Sequence, residues 1–130
     1  MDNELETKIA ALMEQEAAYT ADAYHFVAQA VNYTVDKLPA HRHVTALELL
    51  KGTRELAIKE FGAVAHAVMN EFGLRTAMDV GKVVYLLISV NVLSAADDDS
   101  LEDFNIDFEP VPALDDIEII CSGNVDVTID

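Results

Sequence analysis

TAMDVGKVVYLLISVNV, running from Thr76 to Val92, decides how the rest of the chain is read. It opens on Thr-x-x-Asp. A threonine hydroxyl can accept from the amide three residues on, and the acid can reach back to the threonine's own amide, so Thr76 and Asp79 read as a helix start. From Val83 to Val92 the stretch is apolar on nearly every face. A helix that is apolar all round belongs at the buried centre of a domain. Its β-branched residues would also suit a strand. The cap and the length favour a helix.

Helical spacing dominates on the N-terminal side. Leu5, Ile9 and Leu12 recur on one face, and Tyr24, Val27, Val31, Val35 and Leu38 do so more strongly. A break near Thr20–Asp22 separates two helices, and Pro39 ends the second because the residue before proline is pushed out of the α region. Thr45-x-x-Glu48 is a second capping box. It starts a helix from about Ala46 to Phe61, with Gly62 as its stop. Glu48, Lys51, Glu55 and Lys59 alternate in sign along that helix and read as a solvated face. A shorter helix, Ala63 to Phe72, places Ala65, Val68, Met69 and Phe72 together before Gly73.

After Ser94 the pattern changes. AADDDSLED is acidic and loop-like, while FNIDFE (104–109) alternates apolar and polar with the period of a half-buried strand. IEIIC and VDVTID flank Ser122-Gly123-Asn124 as a hairpin would. The expected fold class is therefore α+β within a single domain. Four or five helices, in a body of about residues 4–93, pack around Val83–Val92. A small antiparallel C-terminal hairpin or three-stranded element follows in the acidic segment from about 94 to 130.

Charge narrows the function classes. The 130 residues carry a net charge of -16. Residues 1–96 hold 8 basic and 12 acidic groups, and residues 97–130 hold 12 acidic groups with no Lys or Arg. Neutralising phosphates takes Lys and Arg, so neither nucleic acid nor an anionic membrane is an expected partner. The stretch Val83–Val90 is far short of the ~20 residues that span a bilayer. MDNELETKI lacks the basic and apolar regions of a signal peptide. One cysteine, Cys121, forms no internal disulfide. These features point to a cytoplasmic protein.

The candidate sites are few. His41 and His43 form an H-x-H pair that could give two ligands to a metal, although a closed site needs three or four. Asp97, Asp98, Asp99, Asp103 and Asp107 suggest calcium. Counted from Asp97, however, position six is Glu102 and position twelve is Phe108, where an EF-hand needs glycine and glutamate. Cys121 and the serines at 89, 94, 100 and 122 stand in no nucleophile context, and no phosphate-binding glycine loop is present. Residues 65–87 have a helix–turn–helix rhythm, but Lys82 is the one base on the open face of the second helix. Arg54 is the residue that asks for an explanation. On a helical wheel it falls between Leu47, Leu50, Ile58 and Phe61, and a guanidinium among apolar neighbours must meet a carboxylate or several carbonyls, or face a cleft or an interface. Asp79, Glu71 and Glu60 are candidate partners for a structural ion pair that fixes the helix order. The alternative is a role in binding an anion or a partner, for which Arg54 and Asp79 stand as candidate binding residues.

The blocks AYHFVAQAVNYT (23–34), HVTALELLKGTRELAIKEFG (43–62), FGLRTAMDVGKVVYLL (72–87) and DDDSLEDF (97–104) resemble a bacterial family of conserved hypothetical proteins of unassigned function. Phe72-Gly73 stands where that family typically has Trp-Gly, and Asp79-Val80-Gly81 where it often has Asp-Phe-Gly. The resemblance implies a shared helical core and brings no activity, cofactor or site residue. The functional expectation is a small non-enzymatic interaction or regulatory module with a protein partner or a second copy of itself. The sequence requires no cofactor. The alternative is a metal-binding protein or small enzyme built on His41, His43 and nearby carboxylates.

Overall fold

The computed structural model describes residues 2–39, 43–94 and 100–112. Five α-helices occupy them: α1 (Asp2–Gln15), α2 (Ala21–Asp36), α3 (Ala46–Phe61), α4 (Ala65–Phe72) and α5 (Ala77–Ser89). Single 3₁₀ turns lie at Gly62–Val64 and Leu101–Phe104. Both capping boxes form as their spacing predicts. Thr45 Oγ1 accepts from the Glu48 amide at 3.1 Å and Glu48 accepts from the Thr45 amide at 2.9 Å. At α5, Thr76 Oγ1 accepts from the Asp79 amide at 3.2 Å, and Asp79 accepts from the Thr76 amide at 3.0 Å. Thr20 caps α2 in the same manner, accepting from the Ala23 amide. Each such cap contributes about 1 kcal/mol.

The core lies where α2, α3 and α5 meet. Tyr24, Val27, Leu50, Val80, Val83 and Leu87 are all fully buried, and each of the valine and leucine side chains contributes about 1.5–3 kcal/mol on leaving water. The buried residues of α5, Ala77, Val80, Gly81, Val83, Val84 and Leu87, lie along one arc of about 160°. Lys82 and Ser89 are exposed and Tyr85, Leu86 and Ile88 half-buried, so the helix is not enclosed on every face as its composition predicts. It stops earlier than Val92, because Asn91 takes a left-handed backbone (φ 66°) just beyond Val90.

Helices α2 and α3 approach most closely at Gly52. A Cβ there would sit 1.9 Å from Thr34 Oγ1 and 3.0 Å from Thr34 Cβ. Thr34 and Thr53 are both buried, and each hydroxyl donates to the carbonyl four residues back, Ala30 and Leu49. Neither is left with an unpaired polar group at the contact. At the exposed edge of the same crossing, Lys37 pairs with Glu55, and the Tyr33 hydroxyl donates to Glu55 Oε1 at 3.0 Å. The lysine's hydrogen bond holds the Glu55 pKa below its ordinary value, and the same contact raises that of Lys37. Glu55 therefore bridges two helices and is more than part of a solvated face.

The expected α+β class is overturned: among the described residues the chain is helical and contains no strand. FNIDFE contributes Phe104 to the 3₁₀ turn against α5, and residues 105–112 then run as an irregular strap tied to α3 and α4. The alternation does mark a half-buried segment. Phe104 is buried and Phe108 partly so, but Ile106, which a strand would turn inward with them, is 42 % exposed. Pro110 and Pro112 follow, and a proline has no N–H to give a β-ladder. The hairpin expected around Ser122-Gly123-Asn124 lies outside the described residues. Among those residues, no helix is long and apolar enough to cross a membrane.

Replacing Gly52 with alanine should lower stability by about 1–3 kcal/mol, because the new methyl meets Thr34 inside a closed contact. Combining it with Thr34→Ala should cost less than the two single losses added together. Urea denaturation of the four proteins measures this coupling.

Candidate functional site: a side-chain clamp and the cleft it builds

Among the described residues, Arg54 pairs with no carboxylate. Its Nε donates to the Pro110 carbonyl at 3.1 Å and a terminal nitrogen donates to the Glu109 carbonyl at 2.6 Å. The guanidinium carbon stands 4.3 Å from the centroid of the Phe108 ring. Burial lowers its pKa and the Glu109 carboxylate pushes back; a guanidinium keeps its charge regardless. At the second residue of α4, His66 Nδ1 lies 2.9 Å from the Val111 carbonyl, and the Asn70 amide nitrogen lies 3.2 Å from Nε2. With Asn70 donating to Nε2, the ring hydrogen sits on Nδ1 and is given to Val111. Three successive carbonyls, 109 to 111, thus take their donors from side chains, where a strand would take them from a neighbouring strand. The strap they hold is closely packed: Pro110 is fully buried and Val111 is 3 % exposed.

Upstream of the clamp, Phe104 lies on the bare backbone of Gly81. A Cβ at Gly81 would fall 2.5 Å from the Phe104 ring. Tyr85 meets the same ring edge-on, with centroids 6.5 Å apart. Ser100 and Asp103 close a third capping box over this turn, with Ser100 N–H donating to Asp103 Oδ2 at 3.1 Å.

The turn forms one side of a cleft of about 470 Å³. Helix α2 supplies Val31, Asn32 and Val35, and α5 supplies Val84, Tyr85 and Ile88. Val44 and Leu49 close the end nearest α3, and Val92 and Leu93 lie beyond the end of α5. The polar groups on its lining include His43, Ser94 and Asp103. Its size falls in the range of ligand pockets, roughly 300–1,000 Å³. Among the described residues, no lysine or arginine lines it.

The candidate residues from the sequence are thus dispersed. His43 lines the cleft, while His41 lies outside the described residues. Among the described residues, no group of three or more His, Cys, Asp or Glu is arranged to hold a metal. Asp79 is occupied at the start of α5. Besides its capping bonds, it accepts the Tyr19 phenol at 2.8 Å and the Arg75 amide at 3.1 Å. Among the described residues it shares no hydrogen-bond partner with Arg54, and the two form no common site. Sequence reasoning missed the cleft residues Tyr85, Ile88 and Phe104. The alternation after Leu101 and the paired prolines were the signals that a segment packs there.

No family model matches the chain, and no curated protein or solved structure does either.

Two outcomes check this geometry. Arg54→Met removes the donors of two carbonyls, one of them on a fully buried proline, and should cost about 1–3 kcal/mol in urea denaturation. Arg54→Lys should restore little of the loss, because an ammonium lacks the two-pronged fork. Tyr19→Phe should cost about 1–2 kcal/mol at neutral pH. Burial first, and then Asp79, raises the Tyr19 pKa well above its ordinary 10.0. A folded pKa raised above the unfolded one gives stability that is complete below the unfolded value and is lost as pH climbs toward the folded value. The gap between wild type and Tyr19→Phe should therefore narrow above about pH 10. Urea midpoints at pH 7 and pH 11 test the sign.

Proposed function

We propose that this chain is a small non-enzymatic binding protein that works through the cleft between α2, α5 and the 100–104 turn. The observation that carries the reading is the cleft itself, with half-buried apolar walls and a small number of polar groups at its margin. Val31, Val35, Tyr85, Ile88, Val92 and Leu93 all keep part of their surface in contact with water. The charge of -16 supports the same reading, since it disfavours nucleic acid and anionic lipid as partners. Cytoplasmic residence, a protein partner and kinship with the bacterial family resembled by residues 23–104 belong to this proposal.

A second reading uses the same place. His43 and Asp103 both line the cleft, so a metal or a small substrate would engage them there; His41, the other half of the H-x-H pair, lies outside the described residues. Asp103 already caps its own turn, which weighs against that reading.

A neutral solvatochromic dye tests the primary reading. One dye per chain should bind saturably with blue-shifted emission. Binding should be lost in Ile88→Asp on the cleft wall and retained in Met13→Asp, at an exposed apolar residue of α1. No saturable binding, or equal loss in both variants, would reject the cleft as the working surface. For the second reading, zinc titration of wild type and His43→Ala should show stoichiometric binding only in the former.

A further inference from the structure

The cleft's charge and dimensions identify its occupant, given that the cleft is the working surface. Two wall positions on α2, Val31 and Val35, and two on α5, Val84 and Ile88, are each four residues apart. That is one helical turn, about 6 Å of rise. Two apolar side chains one turn apart on a partner helix have the same spacing and would enter between the walls. The margin is acidic: Asp103 is on the lining and is exposed, Glu102 beside it is exposed, and Asp36 follows Val35 at the exposed end of α2. Among the described residues no lysine or arginine is on the lining, and the nearest base along α2, Lys37, is already paired with Glu55.

These features exclude an anionic guest and disfavour a second copy of the chain. Two copies would bring two acidic margins together, each on a molecule of charge -16. We infer that the cleft receives a basic amphipathic helix of another protein, with two apolar anchors one turn apart between α2 and α5 and a lysine or arginine facing Asp103. The anchors supply most of the affinity. The acidic margin steers the approach and rejects acidic helices.

The probes are three synthetic helical peptides of equal length. The first places leucine at i, i+4 and i+7 among lysines. The second replaces its lysines with glutamate, and the third replaces its leucines with serine. Binding to the full chain is read by displacement of the neutral dye and by calorimetry. The leucine–lysine peptide should displace the dye. The glutamate peptide and the serine peptide should each bind about tenfold or more weakly. Ile88→Asp should weaken the leucine–lysine peptide about tenfold although it adds a negative charge, so that bulk attraction cannot imitate the result. Asp103→Asn, which keeps the capping acceptor, should weaken it a few-fold at low salt and less at high salt.

Equal binding of the leucine–lysine and serine peptides would overturn the inference, as would indifference to Ile88→Asp. Concentration-dependent dimerisation abolished by Ile88→Asp would assign the cleft to a second copy instead. If the dye binds and the leucine–lysine peptide does not, the inference falls while the cleft stands as the working surface. If neither binds, both fall.

Discussion

The guanidinium of Arg54 holds a piece of backbone that has no other regular partner. Residues 108–111 cannot join a sheet, because prolines stand at 110 and 112 and no described strand lies beside them. They cannot join a helix for the same reason. Their carbonyls must nevertheless be satisfied, since Pro110 and Val111 are buried. Arg54 serves two of them and His66 the third. Everything upstream in the strap depends on that anchorage. Phe104 stays on Gly81, Tyr85 meets its edge, and Asp103 is placed at the margin of the cleft. The clamp thus connects a sequence oddity, an arginine on an apolar helix face, to the geometry of the surface proposed to bind.

The helical body was legible because its signals are local. A Thr-x-x-Glu or Thr-x-x-Asp box acts over three residues and forms whatever else packs nearby, so the starts of α3 and α5 are where the sequence places them. The apolar run of α5 buries one face in the core, while its other flank, with Lys82 and Ser89, stays at the surface, which an apolar count alone does not foretell. The strap was misread because a period of two states that one face is buried without stating against what. Here α5 and its glycine supply the cover that a neighbouring strand would have supplied.

The reason for singling out Arg54 was partly wrong. The wheel centred the apolar arc of α3 on Leu47, Leu50, Ile58 and Phe61. Leu47 and Ile58 are in fact 43 % and 37 % exposed. The buried face includes Gly52, Thr53 and Ala57, small residues that allow α2 to come close and that hydropathy alone underrates. Arg54 sits at the margin of that face, within reach of the strap. Its partners could not have been named beforehand, because backbone carbonyls leave no mark in a sequence. The cleft was hidden for a related reason: its walls are one flank each of α2 and α5, and which flanks remain partly uncovered depends on where the strap runs.

Segment-resolved amide hydrogen exchange on the intact chain, wild type against Arg54→Met, tests this account most directly. The amides to follow are those of Asn105 and Phe108, which are bonded within the strap to the Glu102 and Ile106 carbonyls, and those of α2 and α5 as internal references. If Arg54 anchors the strap, exchange rises at 105 and 108 in the variant while the helix amides keep their protection. Unchanged exchange at both strap amides, or an equal rise throughout the helices, would contradict it.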